Sequence, residues 1–343
     1  MPARLTKPLA VRARYILSPQ FSDFTDNPDI ARALFQHFAN LLTELHGLTL
    51  DSEEFGLFPS PGKISLQVSA FSRGDFEYIA RSNPFPELFL DSQALEFVGE
   101  WSDPQAIADY NRANGVIHKK RVVEYTCATY LHSVARKLLV LMSIFLPGSS
   151  KSIYSYTDAD YGIESPHGCV SHFALVAIAL QEAGIDPVPG CSFTEVIDWS
   201  LSQPGYWHGL PHSNIGRALN LFSHAHHLHH QLSTLHDMAW IVAAVETLLA
   251  ESAVEIRARI ARRFALICPD VAQKFSRKRL LAAYDFRSRF LHGDINVPNH
   301  FAFGPSNYRK EFAAAEEMLV LILVKVLQTL ASSASPSLPL RRA

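Results

Sequence analysis

Near the end of the chain stands Tyr284-Asp285-Phe286-Arg287-Ser288-Arg289-Phe290-Leu291-His292-Gly293-Asp294, which puts two guanidinium groups and an imidazole close together in sequence. Such side chains suit chemistry at a phosphate. Histidine, with an ordinary pKa of about 6.5, can take or give a proton near neutral pH. Arginine is always charged and offers planar donors to oxygens on which negative charge builds. Five residues at about 100° each set Arg287 and His292 about 140° apart on a regular helix, so the pair meets only if the helix end is special. Gly293 provides such an end, because glycine accepts the left-handed conformation that terminates a helix and lets the last turn unwind. Arg289 is nearer to His292 in angle and can bring a second cation to the same phosphate. Phe286, Phe290 and Leu291 are spaced to pack inward and hold the polar residues outward.

The bare Arg…His spacing also occurs at Arg32/His37, Arg112/His118 and Arg217/His224, so the surrounding residues carry the argument. Arg287-Ser-x-x-x-His292-Gly preceded by Tyr284-Asp resembles the signature helix end of HEPN domains, in the form of their ApeA-like branch. Trp240-Ile-Val-Ala-Ala-Val-Glu246-Thr-Leu-Leu resembles that branch's aromatic-led helix, and Ile260-Ala-Arg-Arg263-Phe-Ala-Leu resembles the helix after it. A closing apolar helix beyond a variable loop, Val297 to Asn307, completes the order. The resemblance runs from Asn214 to Ala331, about the last third of the chain.

That resemblance implies a helical bundle acting as an endoribonuclease that uses neither metal nor cofactor. The ribose 2′-hydroxyl attacks the neighbouring phosphorus and a cyclic phosphate is left. On the matching positions His292 is the proton-transfer group and Arg287 stabilises the developing charge, with Arg289, Ser288 and Glu246 in support. Glu246 either orients the Arg or His across the bundle or makes a simple salt bridge within it. One Arg/His pair leaves a second proton transfer unserved, and the family's answer is a homodimer in which two motifs face one cleft. The implied role is prokaryotic anti-phage defence or toxin-like growth arrest, with an antitoxin or a phage-derived trigger as a further partner. Many HEPN ribonucleases place Asn, Asp or His directly after the Arg, where this chain has Ser288. That departure keeps open a non-catalytic HEPN module binding RNA or protein, and beyond it a purely structural dimerisation bundle.

The net charge of −2 hides an asymmetry. Residues 1–200 carry 15 Lys/Arg against 23 Asp/Glu, and residues 201–343 carry 16 against 10. The positive surplus concentrates in Arg257, Arg259, Arg262, Arg263, Lys274, Arg277, Lys278 and Arg279, which face only Glu255 and Asp270 in that stretch. These are the candidate RNA-binding residues, since a local basic patch attracts phosphates even on a near-neutral protein. The bland alternative is a solvated helix face. The acidic first part could shield the patch in a resting state.

The elements that must position these residues divide the chain in two. The expected fold class is mainly α, an antiparallel HEPN-type helical bundle preceded by an α+β region. Val11 to Leu17 and Ile64 to Phe71 alternate like strands, whereas Asp29 to His46 and Val122 to Phe145 show helical periodicity. Loops are expected around Pro59–Gly62, Asn83–Pro86 and Gly148–Gly168. The expected organisation is an α+β part over 1–190 with a sensory or regulatory role, a connection over 191–213, a bundle over 214–331 and a tail over 332–343. Within the bundle, helices are expected over Asn214–Gln231, Leu235–Leu249, Ala253–Ile267, Phe275–His292 and Tyr308–Ala331, the last as a central strut.

Other constellations are weaker. His226 and His230 have i,i+4 spacing, but no His-Glu-x-x-His pattern completes a metal site. His208 and His212 lie on an expected loop. Cys169 has histidine neighbours without a catalytic frame, and no Walker-type phosphate loop occurs. Cys127, Cys169, Cys191 and Cys268 form no C-x-x-C pair, which fits reduced thiols. The run Leu138–Pro147 is shorter than the ~20 residues of a membrane helix, and the first residues lack a signal-peptide apolar core. The expected location is the cytoplasm, with no membrane partner.

Overall fold

The computed structural model describes residues 8–17, 19, 21, 25–51, 62–80, 92–115, 120–150, 152–157, 172–226, 235–250, 255–291, 294 and 307–334. The protein is mainly helical, with one antiparallel sheet built from its first half. The strands are β1 (Leu9–Leu17), β2 (Thr49–Asp51), β3 (Lys63–Ala70), β4 (Gln93–Trp101) and β5 (Ser152–Thr157), in the order β2-β3-β4-β1-β5. The β1–β4 register pairs Tyr15 with Leu95 and Ala13 with Phe97, so Val11, Ala13, Tyr15 and Leu17 share an inward face with Leu95, Phe97 and Trp101. Gly99 lies on that face because a Cβ there would meet the Trp101 ring at 2.8 Å. On the opposite face Arg14 is gripped by the fully buried Asp75 of α2 (Arg73–Ala80), Nε to Oδ1 at 2.6 Å and Nη2 to Oδ2 at 2.8 Å.

Helices α1 (Pro28–Leu45), α3 (Pro104–Ala113) and α4 (Lys120–Phe145) follow the strands of this half. Asn27 and Asp103 cap α1 and α3, each followed by proline at the first helical turn, where the missing N–H costs nothing. The second half of α4 is buried on every side, from Leu138 to Phe145, because it lies between the sheet and the later helices. Three more helices, α5 (His172–Glu182), α6 (Phe193–Leu201) and α7 (Asn214–His226), lead into α8 (Leu235–Leu249) and α9 (Ile256–Ile267). The chain closes through α10 (Pro269–Lys274), α11 (Arg277–Leu291) and α12 (Asn307–Ser332). α12 packs against α4, α5, α6, α8, α9 and α11, the place expected of a central strut.

Two stretches differ from the sequence expectations. Residues 191–213, the expected connection, contain α6, which a reciprocal Ser192/Glu195 capping box starts, and then a turn that buries Tyr206 and Trp207. The Pro and Gly that suggested a linker only punctuate packed elements. β5 lies within the expected loop Gly148–Gly168, since Ser-Ile-Tyr-Ser-Tyr-Thr acquires strand structure by pairing with β1. The apolar core runs without interruption across residue 200. Gln328 of α12 is buried, and its Nε2 reaches the carbonyls of Ile144, Phe145 and Pro187 at 2.8, 3.1 and 2.7 Å. The expected loops at 59–61 and 83–86, and the tail from 335, lie outside the described residues.

Candidate functional site

α11 begins at Ser276, whose hydroxyl accepts the Arg279 N–H, and buries Leu280, Ala283, Tyr284 and Phe286. It runs antiparallel to α12, as three cross-contacts show: Arg279 with Glu317, Phe286 edge-on to Phe312, and Arg289 with Glu311. This spacing turns one flank of α11 toward α8. Tyr284 and Arg287, three residues apart and so neighbours on the helix surface, both reach Oε1 of Glu246 on α8. Arg287 Nη2 is 2.8 Å from that oxygen, and the guanidinium carbon stands 5.4 Å from the centre of the Tyr284 ring.

The junction is half-buried, with 20% of the Arg287 side chain and 24% of Glu246 exposed. Burial, reinforced by the adjacent Glu246 carboxylate, pushes the Tyr284 hydroxyl far above its ordinary pKa, with Arg287 partly opposing. The tyrosine therefore stays protonated and donates to the carboxylate. Of the guanidinium's five N–H donors, one contacts Glu246, and Arg287 Nε is buried without a partner among the described residues. Chemically, the arrangement is a cation of fixed orientation at the rim of the bundle with donor capacity left over.

His292 and Gly293 lie outside the described residues, as do His227, His229, His230 and Cys169. At the end of α11 the Asp294 N–H bonds the Arg289 carbonyl at 2.8 Å, the six-residue closure that commonly ends a helix. Ser288 is half-buried. Arg289 is half-exposed and committed to Glu311 at 2.8 Å, with its guanidinium 5.9 Å from the Phe286 ring centre. The expected pairing of Arg289 with Arg287 at one phosphate would require this ion pair to open.

The basic run separates into two groups. Arg259 and Arg263 point their Nη1 atoms at the carbonyls of Ala250 and Leu249, 3.0 and 3.2 Å away, satisfying the orphan acceptors at the C-terminal end of α8. Arg257 pairs with Asp285, and Arg279 pairs with Glu317 at 2.7 Å. Arg262, Lys274, Arg277 and Lys278 are exposed, with no ion pair among the described residues. These four present unpaired charge at the surface among the described residues; the other four are already engaged by protein groups.

Arg287 and Glu246 are legible in the sequence as site residues, whereas the parts played by Tyr284 and Asp285 emerge only in the structure. For Tyr284 the signal was present, since three residues from Arg287 is one helical neighbour. For Asp285 there was none, because its partner is 28 residues away on another helix. His208 and His212 are exposed on the turn after α6. Among the described residues no group of three or more His, Cys, Asp or Glu side chains could hold a metal ion, and no helix is long and apolar enough to cross a membrane. Cys127, Cys191 and Cys268 are free thiols. No family model, curated protein or solved structure matches the chain.

Proposed function

We propose that this protein is a metal-independent endoribonuclease of HEPN type, with Arg287 and His292 as its catalytic residues. The observation that carries the proposal is the half-buried guanidinium of Arg287, oriented by Glu246 and stacked on Tyr284, one turn from the end of α11. Orientation matters because a preorganised donor stabilises transition-state charge without reorganising at the moment of reaction. Glu246 acts as a positioning residue: it fixes the guanidinium while leaving donors for the equatorial oxygens of a phosphodiester. The imidazole of His292, in this proposal, moves the proton between the 2′-hydroxyl and the leaving 5′-oxygen, and a second copy of the chain supplies the complementary transfer. Arg262, Lys274, Arg277 and Lys278 contribute sequence-independent attraction for the RNA backbone. A role in anti-phage defence or growth arrest belongs to the same proposal and rests on the resemblance alone.

The Glu246 pairing also favours a second reading, a non-catalytic module, because a carboxylate that neutralises Arg287 weakens its pull on an incoming phosphate. One assay separates the two. Purified protein is incubated with RNA in EDTA beside Arg287→Ala and His292→Ala variants, and products are checked for 2′,3′-cyclic phosphate ends. Cleavage abolished in both variants supports the nuclease. RNA retained without cutting supports the binding module, and cleavage unaffected by either substitution refutes both assignments.

A further inference from the structure

The partly exposed side of α8 that carries Glu246 leads to an aromatic pair that the proposed catalytic residues do not use. Trp240 is 37% exposed, whereas Trp101, Trp199 and Trp207 are buried. Its indole lies against the imidazole of His224 on α7, with ring centres 4.8 Å apart and planes 26° from parallel. His224 is exposed as well. Stacking one flat ring on another while more than a third of the indole stays open to water leaves π-surface that the fold itself has not covered.

The spacing on α8 ties this pair to the Arg287 junction. Between Trp240 and Glu246 only Ala243 is not buried, and it stands three residues from each, so one accessible row runs from the indole to the carboxylate that holds Arg287. Six residues at 1.5 Å each make this row about 9 Å long. Its middle carries only a methyl group, so no bulky side chain of α8 separates the indole from the ion pair.

The charges along the row suit an anionic strand. α7 contains no carboxylate, and of the two on α8 Asp237 is buried while Glu246 faces Arg287. Arg217 precedes His224 by seven residues and so shares its side of α7. It is exposed, bonds the Asn214 side-chain oxygen at 2.6 Å, and has no ion pair among the described residues.

We infer that Trp240, backed by His224, is a stacking platform for one base of a single-stranded RNA whose phosphodiester lies at Arg287. The platform serves the same cleavage site, so its class of ligand rests on the proposed nuclease activity. Every base has a π-face, and an indole therefore grips the strand without selecting a sequence. It does require a base free to leave its neighbours, which makes unpaired RNA the substrate and disfavours a duplex.

The test uses the full chain in EDTA at constant ionic strength. The probe is a 2′-O-methyl oligoadenylate decamer, which has bases and phosphates but no 2′-hydroxyl to attack. Because the other three tryptophans are buried, quenching of indole emission by a stacked base reports Trp240. The expected result is saturable quenching that Trp240→Leu abolishes, with a Kd weakened about tenfold in Trp240→Leu and little changed in Trp240→Phe, as loss of one stacked base requires. The slope of log Kd against log salt should be the same in Trp240→Leu, since no phosphate contact is lost. A decamer of the same backbone lacking its bases should bind wild type more weakly and Trp240→Leu no differently. The comparison of the two decamers on wild type needs no variant and decides the matter even if Trp240→Leu misfolds. Quenching without Arg287-dependent cleavage of unmodified RNA supports the platform and refutes the nuclease. Arg287-dependent cleavage without quenching, or with equal Kd for the two decamers, overturns the platform and leaves the nuclease standing. Failure of both decamers to bind overturns the platform, as does a Trp240→Leu protein that sediments as a monomer where wild type is a dimer, because a second copy then covers the indole.

Discussion

Replacing Glu246 by Gln keeps an oxygen for the Tyr284 hydroxyl but removes the charge that faces Arg287 at 2.8 Å. Two unit charges about 4 Å apart in an effective dielectric near 20 attract by about 4 kcal/mol. Desolvating two side chains that are each only about one-fifth to one-quarter exposed consumes much of this. What remains is the range measured for hydrogen bonds to charged groups, about 1.5–3 kcal/mol. Glu246→Gln should therefore destabilise the protein by about 2 kcal/mol, and Glu246→Ala by about 3 because the buried tyrosine hydroxyl also loses its acceptor. A double-mutant cycle with Arg287→Met, read by urea unfolding, should return a coupling of about 1.5 kcal/mol. Arg289 and Glu311 serve as the internal control: the distance is the same 2.8 Å, but 51% and 53% of the side chains are exposed, so their coupling should not exceed about 0.5 kcal/mol. If the two cycles give equal couplings, burial is not strengthening the Glu246 pair, and the argument that Arg287 is held in a fixed orientation fails. Activity adds a second readout: a positioning role predicts that Glu246→Gln lowers cleavage less than Arg287→Ala does.

Other outcomes follow from the same physics. His132 has its folded pKa depressed from 6.5 to about 4, so between those values the unfolded chain binds the extra proton; stability should be intact above pH 6.5 and fall by up to about 3 kcal/mol as pH drops to 4, and His132→Asn should flatten that slope in pH-dependent urea titrations. Gln328→Leu leaves the carbonyls of Ile144, Phe145 and Pro187 without their donor and should cost about 3 kcal/mol, shifting one cooperative unfolding transition rather than splitting it into two. Gly148 has φ +84°, and a Cβ there would stand 2.7 Å from Ala174 Cα, so Gly148→Ala should lower stability by about 2 kcal/mol in thermal unfolding.

Several elements could be read directly from residue order. Apolar spacing located α1, α4, α8, α9, α11 and α12 to within a few residues, and alternation located β1 and β3. Other elements escaped for identifiable reasons. The alternation Leu95-Phe97-Trp101 in β4 is interrupted by Gly99, which is small because Trp101 fills its space. β5 is short and bounded by turn-forming residues, and its strand structure depends on β1 offering an edge. α6 lies in a stretch whose prolines and glycines suggested a linker, although its Ser192-x-x-Glu195 start was a legible capping signal.

Within the candidate site, the sequence alone determined which residue types are present and that α11 is a helix bearing Arg287, since helical periodicity is a local property of the chain. It also determined that one flank of that helix is apolar and must be covered. Only the tertiary structure decided what the polar flank meets. Glu246 lies 38 residues before its partner Tyr284 in sequence, and Tyr15 lies 117 before its partner His132. Such pairs depend on helix rotation, register and crossing, which are set by how whole apolar faces interlock. The same packing decided that Arg257, Arg259, Arg263 and Arg279 bind protein groups while their neighbours face solvent, a division of labour that a run of like charges in sequence does not reveal.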